Sequence, residues 1–267
     1  MGQVDFDALV SDLTRDLQDL LDSESQGKVD ETTYVYRYMP SDRFIDMLEN
    51  RINTFAHISK WDDPFEGFIF KSAIPYYSEQ PEVATNLSSL YASCYGQCWT
   101  LEEKESDLRW RAYCPNGNGV RIRTTVGTLK QLMPNYALDS RLLSGMVSYS
   151  GVPSVIHGNT MLNVARLLFV KHRHFDIEKE YRLIGFVGKA DRDLIRKHQS
   201  KFCCRSGFLQ GPLDNKLFEG IDSEILADPR MSERELDQLR CRLIQADFTT
   251  EIKQSDVYRW HFQGYPV

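Results

Sequence analysis

The first periodic segment of the chain is Val4, Leu9, Val10, Leu13, Leu17, Leu20 and Leu21. That spacing predicts an amphipathic helix over residues 4–22. Asp22-Ser23-Glu24-Ser25-Gln26-Gly27-Lys28 is a polar break. It divides an N-terminal helical segment, residues 1–28, from one domain over residues 29–267. The helix reads as a cap on that domain, with a partner-binding helix as the alternative. Thr33-Tyr34-Val35-Tyr36-Arg37-Tyr38 alternates strictly and is rich in β-formers, which predicts a strand. Pro40-Ser41-Asp42 opens a helix with Ser41 as its cap and an apolar stripe of Phe44, Ile45, Met47 and Leu48. A short strand over 52–58 follows, then a loop over 60–67 in which Pro64 turns Asp63 away from the helical region.

Further along, residues 66–92 read as a helical or irregular insertion. Strands are expected at 92–99, 120–125, 142–149, 178–187, 221–227 and about 248–253. Helices are expected at 101–113, 126–133, 154–171 and from Ser232 through Ile244. Ser232 with Glu235 three residues on is a capping-box pattern. Pro115-Asn116-Gly117-Asn118-Gly119 reads as a hairpin turn. Residues 188–220 give a basic segment, a Cys-Cys pair and a Gly-Pro loop without a regular element. Short strands mixed with helices, without a regular βαβ alternation, predict an α+β domain with a central mixed or antiparallel sheet flanked by helices.

Composition narrows the function classes. The 267 residues are 42% hydrophobic and 26% charged, with a net charge of −6. That balance speaks against a dedicated duplex-DNA binder. No 18-residue apolar run occurs, so no membrane span is expected. The N-terminus lacks a basic and an apolar region, so no secretory signal is expected. Six cysteines (Cys94, Cys98, Cys114, Cys203, Cys204, Cys241) lack zinc-type spacing and read as reduced thiols of a cytoplasmic protein. His172 and His174 lie in Lys171-His-Arg-His174, read as a solvated basic turn. P-loop, nucleophile-elbow and HExxH motifs are absent, and no metal site is expected.

The chemistry-bearing segment is Glu178-Lys179-Glu180-Tyr181-Arg182-Leu183-Ile184. In an extended chain Glu178, Glu180 and Arg182 share one face and Lys179 and Tyr181 the other. Two adjacent carboxylates raise each other's pKa unless a cation lies near. A solvated edge strand is the plain reading. The functional reading is a carboxylate that holds a substrate hydroxyl and stabilises positive charge developing on a sugar.

Two resemblances bear on that choice. Tyr36-Arg37-Tyr38, Trp61-Asp62-Asp63-Pro64-Phe65-Glu66, Trp110 with Tyr113, and Glu178-Lys-Glu-Tyr-Arg182 resemble a large uncharacterised bacterial family, number 2971 among the domains of unknown function. That family usually carries Phe-Asn where this chain has Trp61-Asp62. More distantly, Tyr-Arg on a first strand and a late Glu-x-Glu strand are similar to the ADP-ribosyltransferase layout, although a Ser-Thr-Ser run is missing. That resemblance implies a split sheet and NAD as substrate. Arg37 would hold NAD, Thr54, His57 or Ser59 would be the central element, and Glu180 the catalytic glutamate assisted by Glu178. Tyr36, Tyr38 and Trp61 would stack on the rings of NAD. It further implies transfer to a protein or nucleic-acid acceptor, or NAD hydrolysis, in a toxin or phage-defence setting. Arg37 and Glu180 must then face one cleft from adjacent central strands, and opposite faces of the sheet would sink the idea. A non-catalytic sensor that binds a nucleotide or protein is the alternative. A metal-dependent nuclease built on Asp62, Asp63, Glu178 and Glu180 with Lys179 is the third.

Overall fold

The computed structural model of the chain describes residues 6–24, 29–61, 68–131, 142–149, 160–187, 203–205, 207–213, 218 and 223–259. In chain order its elements are α1 (Phe6–Glu24), β1 (Tyr34–Pro40), α2 (Ser41–Glu49), β2 (Ile52–His57), α3 (Phe68–Tyr76), α4 (Pro81–Ser93), β3 (Cys94–Thr100), α5 (Asp107–Tyr113), β4 (Gly119–Thr125), α6 (Val126–Gln131), β5 (Leu142–Met146), α7 (Thr160–Arg166), β6 (Glu180–Phe186), β7 (Cys203–Arg205), β8 (Phe208–Pro212), β9 (Glu224–Ala227), α8 (Glu233–Gln245) and β10 (Ile252–Gln254). The fold is α+β: one mixed, mostly antiparallel open sheet with helices on both faces.

The main path through the sheet is β10-β9-β4-β1-β3-β2-β8-β7, and β6 and β5 branch from β3. β3 causes the branch. One edge pairs with β6 over its whole length, from Cys94↔Phe186 to Thr100↔Glu180. The other edge is divided. Tyr95 and Gly96 pair with β2, while Thr100 pairs with Tyr36 of β1. Gln97, Cys98 and Trp99 pair with neither, so β1 and β2 part there. Side chains tie the fork instead. Gln97 donates to Asn53 and to the Thr54 carbonyl, and Trp99 Nε1 donates to Gln97 Oε1 at 3.2 Å.

Strand alternation separates two cores. Val35, Met39, Trp99, Ile122, Tyr181 and Leu183 point to one face, where α2 and α8 bring Phe44, Leu48, Leu236 and Leu239. Cys94, Leu143, Ile184 and Phe186 point to the other face. There α1, α4 and α7 bring Leu13, Leu17, Leu87, Leu90 and Ala165. Leu13, Leu17 and Leu21 of the α1 stripe are therefore buried within the chain. Gln18 joins helix to sheet by donating to Ser144 O and accepting from Ser144 N, both at 3.0 Å.

Several boundaries differ from the sequence expectation, each for a local reason. Ser41 makes no capping hydrogen bond; Pro40 takes the cap position and the Ser41 amide donates to Asn118 O. The helix expected from 101 begins at Asp107, because Ser106 caps it by accepting from Arg109 N at 3.2 Å. Asn116-Gly117 joins α5 to β4 rather than two strands, with Gly117 at φ +73°. The segment expected to be a Cys-Cys and Gly-Pro loop contains the β7–β8 hairpin. The capping box of α8 is present as expected.

Candidate ligand-binding cleft

The fork opens a cavity of about 560 Å³. Arg37, Tyr38, Trp61, Cys98, Tyr113 and the Glu178–Glu180 pair are among the residues that line it. Its size falls within the range of small-ligand sites.

The acidic pair sits differently from the expectation. β6 begins at Glu180, and Glu178 ends a 3-10 turn over Arg173–Glu178. Lys179 between them is left-handed at φ +43°. The solvated-edge reading is overturned: β6 lies between β3 and β5, and Glu180 and Arg182 are 5% and 0% exposed. Lys179 does turn outward, to Glu102.

Cations answer the buried carboxyls. Lys171 Nζ donates to Glu178 Oε2 at 2.7 Å and to Glu180 Oε1 at 2.8 Å. Arg182 Nε donates to Glu180 Oε2 at 2.6 Å, and its Nη1 to Leu168 O at 2.6 Å. The Glu180 amide donates to Tyr149 Oη at 2.8 Å, and Thr100 Oγ1 donates to Glu178 O at 2.6 Å. The two carboxyls therefore behave oppositely. Burial raises the Glu178 pKa to about 7, and its hydrogen bond with Glu180 adds to the rise against Lys171. Burial would raise Glu180 too. The Arg182 charge, hydrogen bonds from Glu178 and Arg182, and the Lys171 charge together hold it well below the usual carboxylate range.

At the other end of the cavity lies Arg37. Its guanidinium is 5.8 Å from the Trp99 ring centre. Among the described residues no carboxylate pairs with it, and no hydrogen bond ties it down. Burial lowers its pKa to about 10. Strand register puts Arg37 with Ile122 and Trp99 on one face, and Tyr36, Thr100 and Glu180 on the opposite one. β3 also lies between β1 and β6. The required geometry is thus met in one respect and missed in two. Arg37 and Glu180 open on one cavity, but from opposite faces and non-adjacent strands, joined through the fork.

The remaining expected site residues divide. Thr54 lines the cavity, and its hydroxyl accepts weakly from Gln210 at 3.4 Å. His57 and Ser59 do not line it. His57 Nδ1 meets Ser59 Oγ at 2.8 Å and Nε2 meets Tyr91 O at 3.0 Å, an arrangement that caps the turn after β2. Tyr36 and Tyr38 line the cavity with ring faces already engaged. The Arg121 guanidinium is 4.0 Å from the Tyr36 ring centre, and Tyr38 stacks on Tyr113 and meets Trp110 edge-on. Trp61 lines the cavity and covers Arg182 at 4.8 Å. Trp110 is core, fully buried with Nε1 donating to Glu105, whereas Tyr113 is 48% exposed at the cavity.

The sequence reading missed Lys171, Arg182, Cys98 and Tyr149. Arg182 had a signal, since it shares a face with Glu180 two residues away. Lys171 had none, being hidden in what read as a solvated turn; it is 8% exposed, while His172 and His174 beside it are exposed. For the nuclease reading, Asp62 and Asp63 lie outside the described residues. Among the described residues no group of three or more His, Cys, Asp or Glu converges as metal ligands would. None of the described helices is long and apolar enough to cross a membrane. Comparison with family models, with curated proteins and with solved structures finds no match to the chain.

Proposed function

We propose that the fork cavity binds a phosphate-bearing nucleotide, with NAD as the first ligand to test. One observation carries the reading: a partly buried arginine with no carboxylate partner among the described residues and a buried carboxyl pair open on the same 560 Å³ cavity. A desolvated guanidinium favours an anion in its reach, and phosphate suits its fork of donors. The carboxyl pair suits sugar hydroxyls, and Tyr113 and Trp61 give an aromatic wall for a base. This is the nucleotide-binding alternative set against the transferase reading.

NAD cleavage, as an ADP-ribosyltransferase or NAD glycohydrolase acting as a toxin or phage-defence effector in the cytoplasm, is the second reading. The unequal carboxyl pair favours it: an anionic Glu180 stabilises an oxocarbenium-like state, beside a Glu178 whose pKa burial raises. The opposed faces of Arg37 and Glu180 sink the layout in which Arg37 holds NAD on the face of Glu180, so the reading that remains is NAD cleavage at the carboxyl pair. A dinucleotide touching both has to thread the fork rather than lie along one face. Membership of the uncharacterised bacterial family belongs to the same proposal.

The test is thermal unfolding with NAD, ADP-ribose and a mononucleotide, together with nicotinamide release from NAD. A ligand at a hundredfold its Kd stabilises by about 2.7 kcal/mol. Stabilisation that Arg37→Gln abolishes supports the binding reading. Nicotinamide release lost in Glu180→Gln supports the transferase reading as well. No shift with any of the three ligands overturns both.

A further inference from the structure

Resting on the nucleotide reading above, we infer that Arg43 is a second anion-binding residue of the fork cavity. With Arg37 it takes the diphosphate group of the ligand, one guanidinium to each phosphate.

Arg37 leaves β1 on the face that α2 covers, and Arg43 lies in the first turn of α2. Both line the cavity. Asp46 and Met47 follow Arg43 by three and four residues and line it too, so one side of α2 forms the wall there. The two charges lie within reach of each other. Burial is the main cause that lowers the Arg37 pKa to about 10; the Arg43 charge acts in the same direction, against Cys98. Like charges that share a partly buried cavity repel. A cation in a first helical turn also sits at the positive end of the helix dipole. An anion between the two guanidiniums offsets both costs.

The carboxylates near this pair are engaged elsewhere. Of the three acids of α2, Asp42 and Glu49 both meet Arg242 of α8 at 3.3 Å. Asp46 shares the cavity wall with Arg43 but accepts instead from Asn50 Nδ2 at 2.8 Å. Glu178 and Glu180, at the far end of the cavity, are held by Lys171 and Arg182. Arg109, the remaining arginine of the lining, is tied to the Lys104 and Ile177 carbonyls. Among the described residues neither the Arg37 nor the Arg43 guanidinium has an ion pair or a hydrogen bond. Two open guanidiniums on separate elements suit a diphosphate. It carries negative charge on each phosphorus and offers oxygens to both forks of donors.

Calorimetric titration of the full chain with inorganic pyrophosphate, ADP-ribose and AMP is the test, in wild type, Arg37→Gln, Arg43→Gln and Arg43→Lys. Arg43→Gln is expected to weaken pyrophosphate and ADP-ribose by about tenfold to a hundredfold, the loss of one charge-assisted contact, and to leave AMP, where it binds, within about twofold. Arg43→Lys keeps the charge but not the fork of donors, and falls between. Without ligand, Arg43→Gln is expected to hold or raise the denaturation midpoint, because it removes a like charge and breaks no contact. A lowered midpoint would give Arg43 a structural partner and overturn the diphosphate clamp. AMP weakened as much as ADP-ribose would put both arginines on one phosphate and overturn it too. ADP-ribose that binds through Arg37 but is indifferent to Arg43→Gln overturns the clamp and leaves the nucleotide reading standing. Pyrophosphate that binds through both arginines while ADP-ribose and AMP do not bind keeps the clamp and removes the nucleotide reading. No binding of any of the three overturns both.

Discussion

Glu180 and Arg182 sit two residues apart on β6, both out of solvent, and Arg182 shares with Lys171 the neutralising of Glu180. A buried ion pair is weak evidence of net stabilisation, but removing Arg182 leaves a buried carboxylate with Lys171, which it shares with Glu178, as its cation. Arg182→Met is expected to lower the unfolding free energy by about 3–5 kcal/mol. A urea midpoint unchanged from wild type would contradict the pairing. The two carboxyls also give stability opposite pH dependences. The depressed pKa of Glu180 contributes stability that is present above the ordinary glutamate pKa and lost as pH falls. The raised pKa of Glu178 contributes stability that is fully present below the ordinary pKa and is lost as pH rises towards about 7. Urea midpoints across pH should therefore show wild type losing ground to Glu180→Gln on the acid side. Against Glu178→Gln the loss should come between mildly acid and neutral pH. The same slope for both variants would mean that the protons are shared differently.

At the scale of elements, the sequence was readable wherever a local rule governs. The Ser232–Glu235 box fixes the start of α8 through two reciprocal hydrogen bonds within four residues, Ser232 N to the Glu235 carboxylate and Glu235 N to Ser232 Oγ, and it formed as expected. The alternation of residues 33–38 placed β1, and the period of Leu13, Leu17 and Leu21 placed α1. What failed was non-local. β7 and β8 are short, three and five residues, and gain their order by pairing β8 with β2. The shared face of Glu180 and Arg182 followed from strand parity, but no spacing rule links Lys171 to a strand nine residues on. The opposed faces of Arg37 and Glu180 depend on which strand lies between theirs, which a linear pattern does not encode. Gly96 is a further case of a non-local requirement. A Cβ there would lie 2.5 Å from Trp61 Cζ2 and 2.8 Å from Ile184 Cδ1, with the Leu183 carbonyl at 3.1 Å. Gly96→Ala is expected to cost about 1–3 kcal/mol, because the indole has to leave its place over Arg182. Tryptophan fluorescence and the denaturation midpoint check this; a variant with wild-type values for both would show that Trp61 is free to move.

At the scale of the whole molecule, one sheet serves two cores, and α1 is the element that completes the second. Leu13, Leu17 and Leu21 are each at most 3% exposed and pack beneath Leu143 and Phe169. Burying three leucines contributes roughly 5–9 kcal/mol before entropy is counted, a gross figure as large as the net stability of an ordinary domain. The helix also guards a sheet edge. Among the described strands β5 pairs with β6 alone, and the outward amide and carbonyl of Ser144 are both taken by the Gln18 side chain. An exposed strand edge is a template for another chain, so the helix is a cover as well as a packing surface. Two variants separate these roles. Deleting residues 1–28 is expected to lower the denaturation midpoint and cause concentration-dependent association, because it opens both the core and the edge. Gln18→Ala keeps the leucines and frees only the Ser144 backbone groups, for an expected loss of about 1–3 kcal/mol without association. Light scattering after gel filtration, read beside urea unfolding, distinguishes them. A truncated chain with the mass and midpoint of the full one would mean that α1 is an appendage and that its buried face belongs to some other surface in solution.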